Sequence, residues 1–424
     1  MIWIDVSDLM VWKGHMTGIQ RVVFNIASRM QRYQEVRFFY YDPGVRVFHE
    51  ATLDFSIWLN QRSAVAEVGS RSKKELLLQL VPVRVRQYAP APLKRFVKKS
   101  AKYVLSKSVA LKKSSVKRQA KQQPLSFNET DVLLVLGNAW NDDNLFLDLG
   151  KKKLVEKFKL VNVVYDLIPV LEPQFFGNLL TKQYANYMFE AIASCDLLLP
   201  ISKCTDKDLD IFANEVGLRL PETQVIRLGD EISSVGTKDI SGGSRTPYIL
   251  CVGTIEVRKN HALLYYAYRE LLRTSKPESI PQLIIVGSKG WYTDDILMLF
   301  HQDPQVSKKV TIRYSTTDQE LAELYENALF TIYPSMYEGW GLPLAESLAY
   351  GKVTLSSNLS SMPEVGGDCV DYFSPYDALG CAQLISRYLD RKIRQEREAE
   401  IKKRHKITLW DDTLQQVKKA VETL

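Results

Sequence analysis

The chain has 424 residues, 46% hydrophobic and 25% charged, with 21 Gly and 17 Pro. These values exclude a fibrous, low-complexity or mainly disordered protein and predict roughly two to four domains. The net charge of +7 hides a division: Arg71 to Lys121 hold sixteen Lys and Arg and one acid, Glu75, while the remainder carries 40 basic and 48 acidic side chains.

In chain order, short β-branched apolar runs at 2–6, 36–41, 132–136, 161–165, 197–201 and 225–228 predict strands. The first has Asp5 where a signal peptide needs an apolar centre, so it reads as a buried strand. Apolar residues at helical spacing predict helices at 19–30, 181–194 and 203–214. The Gly/Ser-rich stretch 229–246 reads as a linker. The alternation then restarts, with strands expected at 248–252, 283–286, 310–313, 330–333 and 353–356. Helices are expected at 261–272, 294–300, 318–327, 342–350 and 378–389. Leu414, Val417 and Val421 predict a terminal packing helix. Strands buried on both faces and alternating with helices imply parallel sheets covered by helices. The fold expected is α/β, with two doubly wound domains facing across a cleft, at 1–240 and 241–405. The segment 406–424 is expected to pack back on the first domain. No run of 18 apolar, uncharged residues predicts a transmembrane helix. Five scattered Cys without CxxC spacing suit a reducing cytosol rather than a disulfide framework or structural zinc.

The most informative stretch runs from Tyr333 through Glu338, Gly339, Trp340, Gly341, Leu342 and Pro343 to Glu346. A strand ends, a glycine loop follows, and Pro343 suits the first turn of a helix, where Glu346 is also expected. Such a helix start offers free N–H groups and a positive dipole end to an anion, and glycines let a ligand approach the backbone. Carboxylates bind sugar hydroxyls well and phosphate poorly, so Glu338 and Glu346 suggest a phosphate flanked by sugar; two acids serving the helix dipole read equally well. Gly253, Thr254, Glu256, Arg258, Lys259, Asn260 and His261 form a second strand–helix corner, where Arg258 and Lys259 can grip a diphosphate. In the first domain, Gly18 stands between Thr17 and Arg21 at another such corner. Tyr165 and Asp166 end a strand; Asp166 can orient or deprotonate a hydroxyl, or simply close a turn. Ser202 reads as a helix cap. The five His lack metal-ligand spacing, no DxD-type pair stands where a metal-held diphosphate needs one, and no cofactor motif appears.

These motifs resemble those of the retaining glycosyltransferases of family 4, the "group 1" proteins with the two-domain, Rossmann-like GT-B fold. Thr17-Gly-Ile-Gln-Arg-Val resembles the family's N-terminal glycine loop, Tyr165-Asp-Leu-Ile-Pro its HDLIP strand end, and Gly253 to His261 its GTxEPRKN corner. Glu338 to Glu346 resembles the two-glutamate motif and Ser361 to Asp368 the SxPEVAGD loop. The resemblance implies a nucleotide-diphosphate sugar donor, no cofactor, and no metal for diphosphate binding. It implies Arg258 and Lys259 on the diphosphate, Glu338 on the donor sugar, Glu346 on the ribose, and Gly253, Thr254 and the backbone of Gly339, Trp340, Gly341 and Leu342 around them. Gly18, Tyr165 and Asp166 would face the acceptor; Glu338, Asp166, Lys259 and Arg258 would carry catalysis. Gly287 and the segment 313–316 would flank the base. Tyr165 replaces the family's usual His, and Thr254 an Arg. The Thr-Ile-Glu-x-Arg-Lys-Asn-His form is similar to that of bacterial surface-polysaccharide mannosyl- and rhamnosyltransferases.

Residues 93–118 read as a helix with Leu93, Phe96, Val97, Tyr103, Val104 and Leu111 on one face and lysines on the other. It suits either an anionic membrane surface or packing on the first domain. A lipid-linked saccharide acceptor, met by a cytoplasmic protein at the membrane's inner face, fits the former. No nucleic-acid module appears. An epimerase or hydrolase on the same architecture and a non-catalytic membrane-surface adaptor are the alternatives.

Overall fold

The apolar runs pair into two sheets in a computed structural model that describes residues 1–11, 18–33, 35–55, 124–231, 246–314 and 316–424. The first sheet comprises β1 (Ile2–Asp5), β2 (Val36–Asp42), β3 (Val47–Ala51), β4 (Val132–Val135), β5 (Lys159–Val164), β6 (Leu197–Pro200) and β7 (Glu222–Thr223), ordered 3-2-1-4-5-6-7. The second comprises β8 (Tyr248–Val252), β9 (Gln282–Val286), β10 (Val310–Arg313), β11 (Phe330–Tyr333), β12 (Thr354–Ser357) and β13 (Asp371–Phe373), ordered 10-9-8-11-12-13. Every strand pair is parallel except the β2–β3 hairpin. The strand order reverses between β1 and β4 and between β8 and β11. Such a reversal opens a crevice beyond the carboxyl ends of the strands.

The structure departs from the sequence reading at polar or edge elements. The hairpin strand β3 lies at a sheet edge and alternates buried Phe48 and Ala51 with polar His49 and Glu50, so it forms no apolar run. The last strand of the first sheet starts at Glu222 rather than 225; its apolar successors still follow β6, as Ile226 N–H donates to Pro200 O at 2.9 Å. The helix Arg391–Arg404 buries only Ile401 and carries no apolar stripe to reveal it. The start of the expected linker is pinned. Gly229 lies under Trp410, Asp230 N–H donates to Thr408 O at 3.0 Å, and Thr408 N–H donates to the Asp230 carboxylate at 2.6 Å. The rest of that stretch, 232–245, lies outside the described residues, as do Thr17 and the basic segment with its expected helix at 93–118.

Both layers are built by amphipathic helices. The helix Gly18–Tyr33 buries Val22, Val23, Ile26 and Met30, and the helix Trp410–Val421 packs Leu414, Val417 and Val421 in the same cluster. Among the described residues no helix is long and apolar enough to cross a membrane.

Candidate functional site

The reversal between β8 and β11 places two loops side by side. After β11, the chain from Pro334 to Gly341 leads into the helix Leu342–Ala349, with Pro343 in its first turn. Gly341 has φ of 106°, a left-handed conformation that favours glycine. Serines hold the loop: Glu338 N–H donates to Ser360 Oγ at 2.9 Å, and the Ser361 hydroxyl donates to the carbonyls of Glu338 and Trp340, both at 2.8 Å. Asn260 donates its side-chain amide to Pro334 O and Pro375 O, tying the β8 loop to this one.

The charges converge here. Arg258 donates to Glu338 Oε2 at 2.9 Å, to Glu256 Oε1 at 2.6 Å and to Tyr337 O at 2.6 Å; Lys259 Nζ reaches Glu338 Oε1 at 2.5 Å. Burial alone would raise the Glu338 carboxyl, but Arg258 and then Lys259 outweigh it and hold the group at about 2. Gly253 leaves space for Lys259, whose Cδ lies 3.6 Å from where a Cβ would stand. Asp166, after β5, faces this cluster from the first domain. Burial pushes its carboxyl up to about 6 although Arg258 pulls it down. It also closes a turn, accepting from Ile168 N–H at 3.1 Å. Two cations, a helix N-terminus and glycine backbone thus surround one crevice, an arrangement suited to a diphosphate.

The first domain contributes more than the motifs announced. Gly18 meets Leu342, with Cδ1 at 3.0 Å from the position of a Cβ. Arg21 crosses to Glu346 Oε1 at 2.7 Å and to Asp318 at 3.0 Å, and the Tyr325 hydroxyl donates to Glu346 Oε2 at 2.9 Å. Burial nevertheless leaves the Glu346 carboxyl raised. Glu346 is the fifth residue of its helix, so it stands in the second turn rather than the first. One other expected contact differs. The Tyr165 hydroxyl donates to Leu136 O at 2.5 Å inside the first domain, so it does not substitute for a cleft-facing imidazole. Trp340 is 4% exposed, its indole in the core beneath the Arg227 guanidinium, which leaves its backbone for a ligand. Ser202 caps its helix, accepting from Thr205 N–H at 3.0 Å.

Sequence reasoning missed the partners across the cleft. Glu364 accepts from Lys203 N–H at 2.9 Å, and Tyr337 donates to Asp208 at 2.8 Å. Arg21 and Glu364 lay inside quoted motifs and could have been singled out as charged residues at helix starts; Asp208 carried no signal. Among the described residues no group of three or more His, Cys, Asp or Glu could hold a metal.

Residues 238–406 match the family described as "Glycosyl transferases group 1". The chain is similar to the serotype-specific mannosyltransferase WbdA of Escherichia coli, with 25% identity over 282 residues, 63% of this chain and 34% of that protein. It is similar to the O-antigen chain mannosyltransferase B of Escherichia coli, with 28% identity over 226 residues, 52% of this chain and 58% of that one. The chain therefore spans about a third to just over half of the length of these relatives. In three dimensions it resembles HepE of Anabaena, solved in complex with UDP, with a TM-score of 0.57, 14% identity, and coverage of 100% of this chain and 99% of that one. This last likeness is one of fold: two parallel-sheet α/β domains in the GT-B arrangement.

Proposed function

We propose that this chain, a GT-B fold whose residues 238–406 form a glycosyl transferases group 1 domain, moves a hexose from a nucleotide-diphosphate sugar to a saccharide acceptor. One observation carries the reading: Arg258, Lys259 and the start of the helix Leu342–Ala349 converge on Glu338 at the β8/β11 reversal. On a donor, Arg258, Lys259 and the helix N–H groups stabilise the leaving diphosphate, the electrostatic role that dominates such transfers. Glu338 binds donor sugar hydroxyls and Glu346 the ribose. Asp166 orients the acceptor hydroxyl, and its raised pKa suits proton acceptance near neutral pH. We place the attack on the face the leaving group vacates, so that the anomeric configuration is retained, with no metal in diphosphate binding. Mannose is the favoured sugar, supported by the names of the relatives, and a growing bacterial surface polysaccharide, free or lipid-linked, is the favoured acceptor.

The test is direct. A thermal-shift panel of GDP-, UDP- and dTDP-sugars identifies the donor, because a ligand that binds only the folded state stabilises it. Release of nucleoside diphosphate is then followed with and without a mannooligosaccharide acceptor. Acceptor-dependent release is the expected result. Release that ignores the acceptor indicates a hydrolase, and sugar conversion without release an epimerase. Flotation with anionic vesicles, with and without charge reversal at Lys98, Lys99 and Lys102, tests the membrane role; binding insensitive to salt and to reversal would falsify it.

A further inference from the structure

Beside the donor crevice, two consecutive aromatic residues stand in a place that the proposed chemistry does not use. Trp291 and Tyr292 follow β9 in the second domain and are 41% and 57% exposed. Their loop rides on the cation-bearing corner: Gly290 N–H donates to Ile255 O at 3.0 Å, and a Cβ on Gly290 would lie 2.9 Å from Thr254 Cγ2 and 3.3 Å from Glu256 Cβ. Glu256 in turn holds Arg258 at 2.6 Å. Across the cleft, Phe175 and Phe176 end the segment that leaves the first sheet at Asp166. The indole N–H of Trp291 donates to Phe175 O at 2.7 Å, and the Trp291 and Phe176 rings meet at 5.6 Å, tilted by 40°. Tyr292 adopts φ of 54°, a backbone conformation unfavourable for an aromatic residue, and its hydroxyl lies 3.8 Å from where a Gly177 Cβ would stand.

Domain packing alone does not account for this. Tyr292 keeps more than half its surface in water and does so on a strained backbone, so its ring remains open to a ligand. The Tyr292 ring reaches toward Gly177 of the first domain, and the indole hydrogen bond fixes the plane of its neighbour Trp291. A pyranose ring presents a patch of C–H groups on one face and hydroxyls around its rim. The patch stacks on an aromatic face, whose quadrupole is negative toward such hydrogens. The rim needs charged or polar partners, and the exposed Lys289–Asp294 pair stands on the same loop and helix start.

We propose that Trp291, Tyr292 and Phe176 form a stacking platform for the acceptor, holding the pyranose rings behind the one that receives the new sugar. The platform rests on the transferase reading of the crevice and adds what that reading lacks, a reason to prefer an acceptor chain over a single sugar. It assigns recognition of acceptor length to a surface shared by both domains.

The test uses the whole chain with mannose and mannotetraose as acceptors. Y292A and W291A are expected to raise KM for mannotetraose about tenfold while changing KM for the nucleotide sugar less than twofold. The ring-preserving variant Y292F stays near wild type for mannotetraose, and mannose responds to none of the three. Saturation-transfer NMR of mannotetraose with the protein alone is expected to show contacts that Y292A removes. Unchanged KM and unchanged contacts in Y292A overturn the platform, as does an equal rise in KM for mannose and mannotetraose. Absence of any transfer by the wild-type protein instead overturns the transferase reading, since the NMR contacts need no turnover.

Discussion

Glu338 stands between two cations and is buried, so its charge has two consequences. Lys259→Ala removes one of the two cations proposed to meet a leaving diphosphate and is expected to lower kcat about a hundredfold, measured as acceptor-dependent nucleotide release. The second consequence concerns acid. The Glu338 carboxyl is held at about 2, below its unfolded value, so its stabilisation is complete above the ordinary carboxylate pKa and fades as pH falls from there toward 2. Melting curves between pH 6 and 3 should show wild type losing more of its Tm than Glu338→Gln, which is already weaker at pH 7. Asp166 has the opposite sign. Its pKa is raised to about 6, so its ionisation costs stability as pH rises through that value, and Asp166→Asn should gain Tm over wild type above pH 6 while losing transfer. These residues were legible as paired cations and carboxylates beside glycine-rich strand–helix corners. Tyr165 was misread because a motif states which residue stands at a position and not which layer its side chain enters.

Loops that pass within contact distance of another backbone are built on glycine. A Cβ on Gly339 would fall 2.0 Å from Tyr165 O, a backbone atom that cannot swing aside. Gly339→Ala therefore displaces the glutamate loop from the first domain. Overpacking of this kind costs about 1–3 kcal/mol, so a lower Tm should accompany loss of transfer. Gly287 is tighter still, at 1.8 Å from Gly253 O, which explains a glycine after β9. The buried parallel strands were readable because β-branched runs with no polar face leave no other structure to form. The hairpin strand β3, the short strand β13 and the charged helix Arg391–Arg404 were not, since each is stabilised by what it packs against rather than by its own pattern. Likewise the motifs revealed both sides of the crevice, but not the contacts that join them.

Those contacts decide how the whole molecule closes. Arg21 reaches over the cleft to Glu346, Glu364 takes the helix start at Lys203, and Tyr337 binds Asp208, so each domain supplies partners to the other's functional loops. Arg21→Ala is expected to loosen closure and leave the Glu346 carboxylate held by Tyr325 alone. It should raise KM for the nucleotide sugar about tenfold, with a larger radius of gyration by small-angle X-ray scattering; an unchanged radius with a raised KM would limit Arg21 to a local role. The two passages of the chain between the domains, leaving after Glu231 and returning at Thr408, are joined to each other by the paired hydrogen bonds of Asp230 and Thr408. A body tethered to another at a single knot can turn about it but cannot slide away from it. Opening that breaks the Arg21, Glu364 and Tyr337 bridges and keeps that knot is therefore a swing about it.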